Sequence, residues 1–125
     1  MTPADTAHPH PLILIFDDDL VHHPDFLGGL PARFVYLPDA DQAEDDVAAH
    51  DPDLVFMDFA MGALRNGVEA VRALRLRWPA LAIVGISSDA RMNRLMLEAG
   101  ATVAVVKMAL PEEFRIVVQY ARRAP

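Results

Sequence analysis

The sequence contains no cysteine, which excludes a disulfide framework and any metal site built from thiolates. Positive charge is also scarce, because 11 Lys and Arg face 18 Asp and Glu and the formal net charge is -7. Direct binding to nucleic acid needs a basic surface, so we expect none. No apolar run approaches the roughly 18 residues of a membrane span, and the N-terminus lacks the pattern of a signal peptide. We therefore expect a cytoplasmic protein without membrane contact.

The length of 125 residues is enough for one domain with a substantial core. Residues 1–11 contain three prolines and show no apolar periodicity, so we expect a mobile N-terminal tail before a domain over residues 12–125. Apolar runs then alternate with helical patterns, which is typical of a parallel sheet covered on both faces. The five predicted strands are Leu12–Phe16, Arg33–Leu37, Leu54–Asp58, Leu81–Ser87 and Thr102–Val106.

Capping and turn residues predict four helices, over residues 41–50, 68–78, 90–99 and 111–123. The first begins with Asp41-Gln42-Ala43-Glu44, which has the pattern of a capping box. Asp89 is placed to cap the third helix and Gly100 to end it, and Pro111 begins the last one.

The first crossover is short. Only 13 residues separate Asp19 from Arg33, and they include two prolines and two glycines. A parallel connection needs about 10 to 12 residues including its helix. We therefore expect a helix of two turns or fewer, or an irregular segment. Thin coverage of the sheet here would expose apolar surface, so we expect partner contacts to involve Leu20–Pro31.

Acidic residues follow two of the predicted strands. Asp17, Asp18 and Asp19 come directly after the first apolar run, and Asp58 closes the third. In open α/β sheets the carboxyl ends of the strands form the ligand-binding edge. Carboxylates crowded together stay ionised only when a cation lies among them, and Mg²⁺ binds through one or two carboxylates together with water and phosphate. The pattern predicts a Mg²⁺-dependent phosphoryl site.

Two further strand ends complete a known pattern. Ser87 ends Ile-Val-Gly-Ile-Ser, and Lys107 ends Gly-Ala-Thr-Val-Ala-Val-Val-Lys. With the acidic cluster and Asp58 in Asp-Leu-Val-Phe-Met-Asp, residues 12–123 resemble a response-regulator receiver domain of the CheY-like kind. The resemblance implies a flavodoxin-like α/β fold, a three-layer sandwich whose five-stranded parallel sheet has the order 2-1-3-4-5.

The resemblance also implies roles for particular residues. Asp58 would accept a phosphoryl group from a histidine kinase or phosphotransfer protein. Asp17, Asp18, Asp58 and the backbone carbonyl of Ala60 would hold Mg²⁺, while Ser87 and Lys107 would contact the phosphoryl group. The chain would then be a signalling protein rather than an enzyme, either stand-alone or excised from a larger regulator. It would act on an unknown downstream protein, and a homodimer is compatible with this.

Six features depart from the family pattern. Ala104 stands where an aromatic ring commonly changes rotamer on activation, and Met108 stands where the family usually has a proline. The other four are Gly62 in place of a proline, Gly67 nine residues after Asp58, Ser88 in place of a small apolar residue, and about two residues fewer between Ser87 and Lys107. These departures keep open a pseudo-receiver, a partner-binding module that is not phosphorylated.

A phosphatase of the haloacid-dehalogenase type is a more distant alternative. Asp17 would be its nucleophile and Asp19 its acid/base, with Ser87 and Lys107 as the later motifs. The alternative leaves Asp58 without a role, and only Glu112-Glu113 offers acidic groups after the lysine.

Overall fold

In the computed structural model, which describes residues 10–62 and 64–121, five parallel strands form one sheet with the order β2-β1-β3-β4-β5. The strands are β1 (Leu12–Phe16), β2 (Arg33–Leu37), β3 (Leu54–Met57), β4 (Ile83–Gly85) and β5 (Val103–Ala104). The predicted strand order and flavodoxin-like fold are confirmed.

Strands β4 and β5 are shorter than predicted, although the residues next to them still pair. The Ile86 N–H donates to the Met57 carbonyl at 2.9 Å, and the Val105 N–H donates to the Gly85 carbonyl at 2.8 Å. The apolar runs therefore extend past the regular ladder into the loops that carry the predicted site.

Four α-helices follow the later strands: α1 (Ala43–His50), α2 (Gly67–Arg77), α3 (Ala90–Ala99) and α4 (Leu110–Val117). As predicted, the Asp89 carboxylate caps α3 by accepting the Arg91 N–H, and Gly100 follows its end with a φ of 124°. A 3-10 turn at Val118–Tyr120 follows α4, and residues 122 and 123 of the predicted last helix lie outside the described residues.

The first crossover contains two 3-10 turns, Leu20–His22 and Pro24–Phe26, rather than an α-helix, so the prediction of an irregular segment is confirmed. The expected exposure of apolar surface there is wrong. Leu20 and Leu27 are buried against the sheet, because two turns with inward-facing leucines cover it without a full helix. The strongly exposed large apolar side chains of the described residues lie elsewhere, among them Leu64, Leu76, Met108 and Ile116.

Both faces of the sheet are covered, which makes three layers. Leu14, Phe16 and Val55 point to one face and pack against α1, α2 and α3. Ile15 and Phe56 point to the other face and pack against the first crossover and α4. Because β1 and β3 are central and buried on both sides, their carboxyl ends are held firmly at one edge.

The predicted capping box at Asp41–Glu44 is wrong. The residue before α1 is Gln42, and no side chain caps this helix. The Asp41 carboxylate instead accepts the N–H groups of Leu64 and Arg65, at 3.4 and 3.0 Å, and Glu44 pairs with the Arg65 guanidinium. Both acids thus tie the loop after β3 to α1.

A capping box does form at the start of α2. Asn66 Oδ1 accepts the Glu69 N–H and Glu69 Oε1 accepts the Asn66 N–H, both at 2.9 Å. The loop after β3 is therefore fixed at its end by this box as well as by its ties to α1.

Arg75 joins α2 to the amino ends of β4 and β5. Its Nε donates to the Gly100 carbonyl at 2.9 Å, and its Nη1 donates to the Leu81 carbonyl at 2.6 Å. Nη1 also donates to the carbonyls of Trp78 and Pro79, and Nη2 to the Thr102 hydroxyl. One guanidinium thereby satisfies carbonyls that follow two helices.

The described part of the predicted tail contacts the sheet. The carbonyl of Pro11 accepts the Arg33 N–H at 2.8 Å, and the carbonyl of His10 accepts from Arg33 Nε at 3.2 Å. Residues 1–9 lie outside the described residues. Within the described ranges, no helix has both the length and the apolar character that are needed to cross a bilayer.

Candidate functional site

Three predicted metal ligands meet at the carboxyl edge of the sheet. Asp17, Asp18 and Asp58 each offer a carboxylate oxygen, and these oxygens lie within 4.8 Å of one another. Asp17 is fully buried, Asp58 is nearly so, and Asp18 is exposed. This donor set of hard oxygens, open to water on one side, fits the preference of Mg²⁺ for a few carboxylates and several waters.

The Asp17 carboxylate is held by the backbone that follows it. Its Oδ1 accepts the N–H groups of Asp19 and Leu20, at 2.8 and 2.9 Å, as the chain enters the first 3-10 turn. Its Oδ2 lies 2.8 Å from Lys107 Nζ as an ion pair, yet accepts no well-oriented hydrogen bond from any described residue. One buried oxygen of Asp17 thus retains lone-pair capacity, as expected of a metal ligand.

Lys107 brings positive charge into the cluster. Its Nζ lies next to Asp17 Oδ2 and donates to Asp58 Oδ2 at 3.3 Å. Burial acts to lower the pKa of Lys107, but the adjacent carboxylates of Asp17 and Asp58 outweigh burial and raise the pKa. Lys107 therefore remains an ammonium group between two carboxylates.

The Lys107 ammonium does not fully offset the effects that raise the pKa of Asp58. Burial and the charge of Asp17 raise its pKa from 3.8 to about 6, against the opposing effects of Lys107 and of the Phe59 N–H, which Asp58 Oδ1 accepts at 2.9 Å. A divalent cation at this position would stabilise the ionised form. The electrostatics therefore favour a bound cation.

Helix α2 begins in direct contact with the backbone of Asp58. The Gly67 N–H donates to the Phe59 carbonyl at 2.9 Å. A Cβ atom at Gly67 would overlap the Asp58 carbonyl oxygen and lie 2.9 Å from Phe59 Cα. Only glycine permits this close approach of α2 to the backbone that follows β3.

Ser87 follows β4 and is buried at the same edge. Its Oγ accepts the Asp89 N–H at 3.1 Å, which leaves the hydroxyl hydrogen free to donate to another group. Asn93, on α3, binds the backbone of Ser87 through its side-chain amide. Sequence reasoning missed Asn93; a polar residue one turn before the buried Met96 on an amphipathic helix is the signal that could have identified it.

Ala60 and Gly62 lie on the loop after Asp58. Ala60 is exposed and lines a shallow depression together with Asp18 and Gly62. The Gly62 N–H donates to Asp18 Oδ2 at 3.3 Å, a bond that a proline at this position could not make. The loop thus lies where a backbone carbonyl could join the acidic cluster, and the role of the Ala60 carbonyl remains a prediction.

The phosphatase alternative gains no support from this geometry. Asp19 is exposed, lies outside the acidic cluster and is 3.6 Å from His23 Nε2. Asp17, the nucleophile in that alternative, is fully buried and engaged by two backbone N–H groups and Lys107.

Comparison with known proteins identifies the family of the chain. Residues 30–119 match the sequence model of the response regulator receiver domain. Transcriptional regulatory protein RstA of Escherichia coli (strain K12) is 33% identical over 75 residues, which are 59% of this chain and 31% of RstA. The chain thus spans about a third of the length of that curated relative.

Solved structures of receiver domains are similar over about nine tenths of the chain. The BeF3-activated N-terminal receiver domain of Klebsiella pneumoniae RstA is 30% identical, with a TM-score of 0.73 over 90% of this chain and 98% of that one. The receiver domain of the sensor histidine kinase PA1611 from Pseudomonas aeruginosa PAO1 is 24% identical, with a TM-score of 0.75 over 89% and 97%. That structure holds a magnesium ion in its active site cleft, and its likeness to this chain shows the fold.

Proposed function

Because the chain belongs to the response regulator receiver domain family, we propose that it acts in two-component signalling by accepting a phosphoryl group on Asp58 in the presence of Mg²⁺. The observation that carries the proposal is the convergence of Asp17, Asp18 and Asp58 on one point beside the Lys107 ammonium. A carboxylate reacts with a phosphoryl group only when nearby positive charge offsets their repulsion, and Lys107 together with a bound Mg²⁺ would supply that charge.

Asp17, Asp18, Asp58 and the Ala60 carbonyl would hold the ion. When bound, Mg²⁺ supplies positive charge to the carboxylates and to the oxygens of the incoming phosphoryl group. The buried, doubly hydrogen-bonded Asp17 would be the fixed ligand and the exposed Asp18 the adjustable one.

Asp58 would be the nucleophile. One of its carboxylate oxygens forms a bond to phosphorus while the P–N bond of a donor phosphohistidine breaks, and that electron pair stays on the imidazole nitrogen. Lys107 already lies 3.3 Å from Asp58 Oδ2, so its ammonium can pair with a phosphoryl oxygen without crossing the site. The Ser87 hydroxyl accepts the Asp89 N–H and can still donate, so it would donate to another phosphoryl oxygen.

The donor would be a histidine kinase or a phosphotransfer protein, and the phosphorylated chain would act on a downstream protein in the cytoplasm. The beryllofluoride-activated receiver of a relative that is 30% identical supports the use of beryllofluoride as a mimic of the phosphoryl group here. Under this proposal the chain is a substrate of phosphotransfer and not an enzyme.

Intact mass spectrometry tests the proposal. The protein is incubated with a small acyl phosphate and Mg²⁺, and we expect one added phosphoryl mass that is absent in Asp58→Asn. Asp19→Asn is the matched control, because Asp19 is acidic and near in sequence but lies outside the cluster.

Two results would contradict the proposal. A parent protein that never gains a phosphoryl group, with either the acyl phosphate or a phosphorylated histidine donor, would be a pseudo-receiver. Labelling that persists in Asp58→Asn but disappears in Asp17→Asn would instead identify Asp17 as the nucleophile of a phosphatase-type reaction.

A further inference from the structure

We propose that Asn93 is a positioning residue that locks Ser87 to helix α3 and strand β5, so that these three parts of the site move as one unit. The inference rests on the proposed function, because Ser87 matters only if a phosphoryl group is present. Residue 104 is alanine, so no aromatic side chain there can couple the phosphoryl site to α3 and β5. The proposal assigns that coupling to Asn93.

The Asn93 side chain binds both backbone polar groups of Ser87. Its Oδ1 accepts the Ser87 N–H at 2.9 Å, and its Nδ2 donates to the Ser87 carbonyl at 3.0 Å. Nδ2 also donates to the Val105 carbonyl, just beyond β5, at 3.2 Å. Because Asn93 is buried, these bonds are shielded from competing water, and losing one would leave a buried group unsatisfied.

A second connection joins Ser87 to the start of α3. Only Ser88 and Asp89 separate it from the helix, and the Asp89 N–H donates to Ser87 Oγ while the Asp89 carboxylate caps the Arg91 N–H. The shortened loop therefore has little slack. Ser87 cannot shift towards a phosphoryl group without moving the first turn of α3.

Helix α3 packs closely on β4 next to Asn93. A Cβ atom at Gly85 would lie 3.3 Å from Asn93 Oδ1 and 3.0 Å from Met96 Cε, so the absence of a side chain at Gly85 permits this approach. Movement of Ser87 must be passed on to α3 and to Val105, or must break the hydrogen bonds.

A double-mutant cycle on beryllofluoride binding tests the inference. The dissociation constant in Mg²⁺ is measured by calorimetry for the parent, Asn93→Ala, Ser87→Ala and the double variant. We expect Asn93→Ala to weaken binding about tenfold when Ser87 is present, and less than about twofold in the Ser87→Ala background. Arg94→Ala, on the exposed face of the same helix, is the control and should leave binding unchanged.

A spectroscopic readout separates positioning from simple stabilisation. In the parent, beryllofluoride should shift the amide resonances of Val105 and of the first turn of α3 together with that of Ser87. In Asn93→Ala the Ser87 shift should persist while the Val105 shift is lost. If Asn93→Ala does not fold, Asn93→Asp serves instead, because it keeps the acceptor for the Ser87 N–H and removes both amide donors.

The outcomes distinguish the two proposals. A parent that binds no beryllofluoride and gains no phosphoryl group overturns the proposed function, and the inference with it. A parent that binds, with equal losses for Asn93→Ala in both backgrounds or with Val105 still responding, overturns only the role of Asn93.

Discussion

Gly67 and Asp58 are in backbone contact, so the first residue of α2 rests on the carbonyl of the residue that we propose as phosphoacceptor. Gly67→Ala would place its Cβ atom against fixed backbone rather than a flexible side chain. We expect a loss of about 2 kcal/mol or more in the free energy of unfolding, measured by urea denaturation. Gly62→Ala is the control: a Cβ atom there meets nothing within 4 Å, and its effect should stay below about 0.5 kcal/mol. Equal losses in both variants would contradict the steric explanation.

Mg²⁺ should stabilise the protein through the acidic cluster. Binding to the native state alone adds RT ln(1 + [Mg²⁺]/Kd), which is about 1.4 kcal/mol at ten times Kd. We expect millimolar Mg²⁺ to raise the melting temperature of the parent and of Asp19→Asn, and to do so much less in Asp18→Asn. Asp18 is exposed, so its removal leaves no buried cavity and the comparison reports on the metal. An equal increase in all three proteins would place the ion elsewhere.

The raised pKa of Asp58 should make the free energy of unfolding depend on pH. Its pKa in the folded protein is about 6, raised from 3.8 by burial and by Asp17. Between these values the folded state holds a proton that the unfolded state has released, so this group makes stability fall as pH rises through the window. Asp58→Asn removes that effect. In metal-free protein we expect the variant to be more stable than the parent at about pH 7.5, by on the order of 1 kcal/mol after solvent screening.

Urea denaturation in the presence of a chelator, from about pH 4 to pH 7.5, measures this difference. The gap between Asp58→Asn and the parent should shrink as pH falls towards 4, because both then carry a neutral group. Asp19→Asn should show no comparable trend. A gap that stays constant across the range would mean that Asp58 titrates normally.

Arg75 should contribute more to the free energy of unfolding than an ordinary surface arginine does. Its guanidinium donates to the partly buried carbonyls of Leu81 and Gly100, among others, and these hydrogen bonds are lost when the guanidinium is removed. We expect Arg75→Ala to cost about 2 to 3 kcal/mol, and Arg75→Lys to recover less than half, since one ammonium cannot reach the same carbonyls. Arg72→Ala, on the exposed surface of the same helix, should cost little. Full recovery by lysine would show that charge alone matters.

Local sequence patterns predicted the bounds of secondary structure well where these bounds depend on neighbouring residues alone. The bounds of β1 and β2 agree with the apolar runs, and Asp89 caps α3 as its position indicates. The strand-end acids met as expected because β1 and β3 are direct neighbours in the sheet.

The failures share a physical cause, which is contact between segments that local sequence patterns do not describe. Asp41 and Glu44 have the spacing of a capping box, but Arg65 and its backbone, more than 20 residues later, provide stronger partners. Asn93 binds backbone atoms of two other segments, which no periodicity reveals. The first crossover was expected to expose apolar surface, yet Leu20 and Leu27 fill the gap that a helix would have covered.

The net formal charge of the acidic cluster and Lys107 determines which ions would neutralise the site. Three carboxylates and one ammonium leave the cluster two units negative, which one divalent ion cancels and one monovalent ion does not. Converting Asp58 to an acyl phosphate would add about one more negative unit near neutral pH, so a phosphorylated site would retain its ion more tightly than an unmodified one. By reciprocity the ion would favour the phosphorylated state by the same factor. Mg²⁺ binding and phosphorylation would then be thermodynamically linked through the net charge of one site.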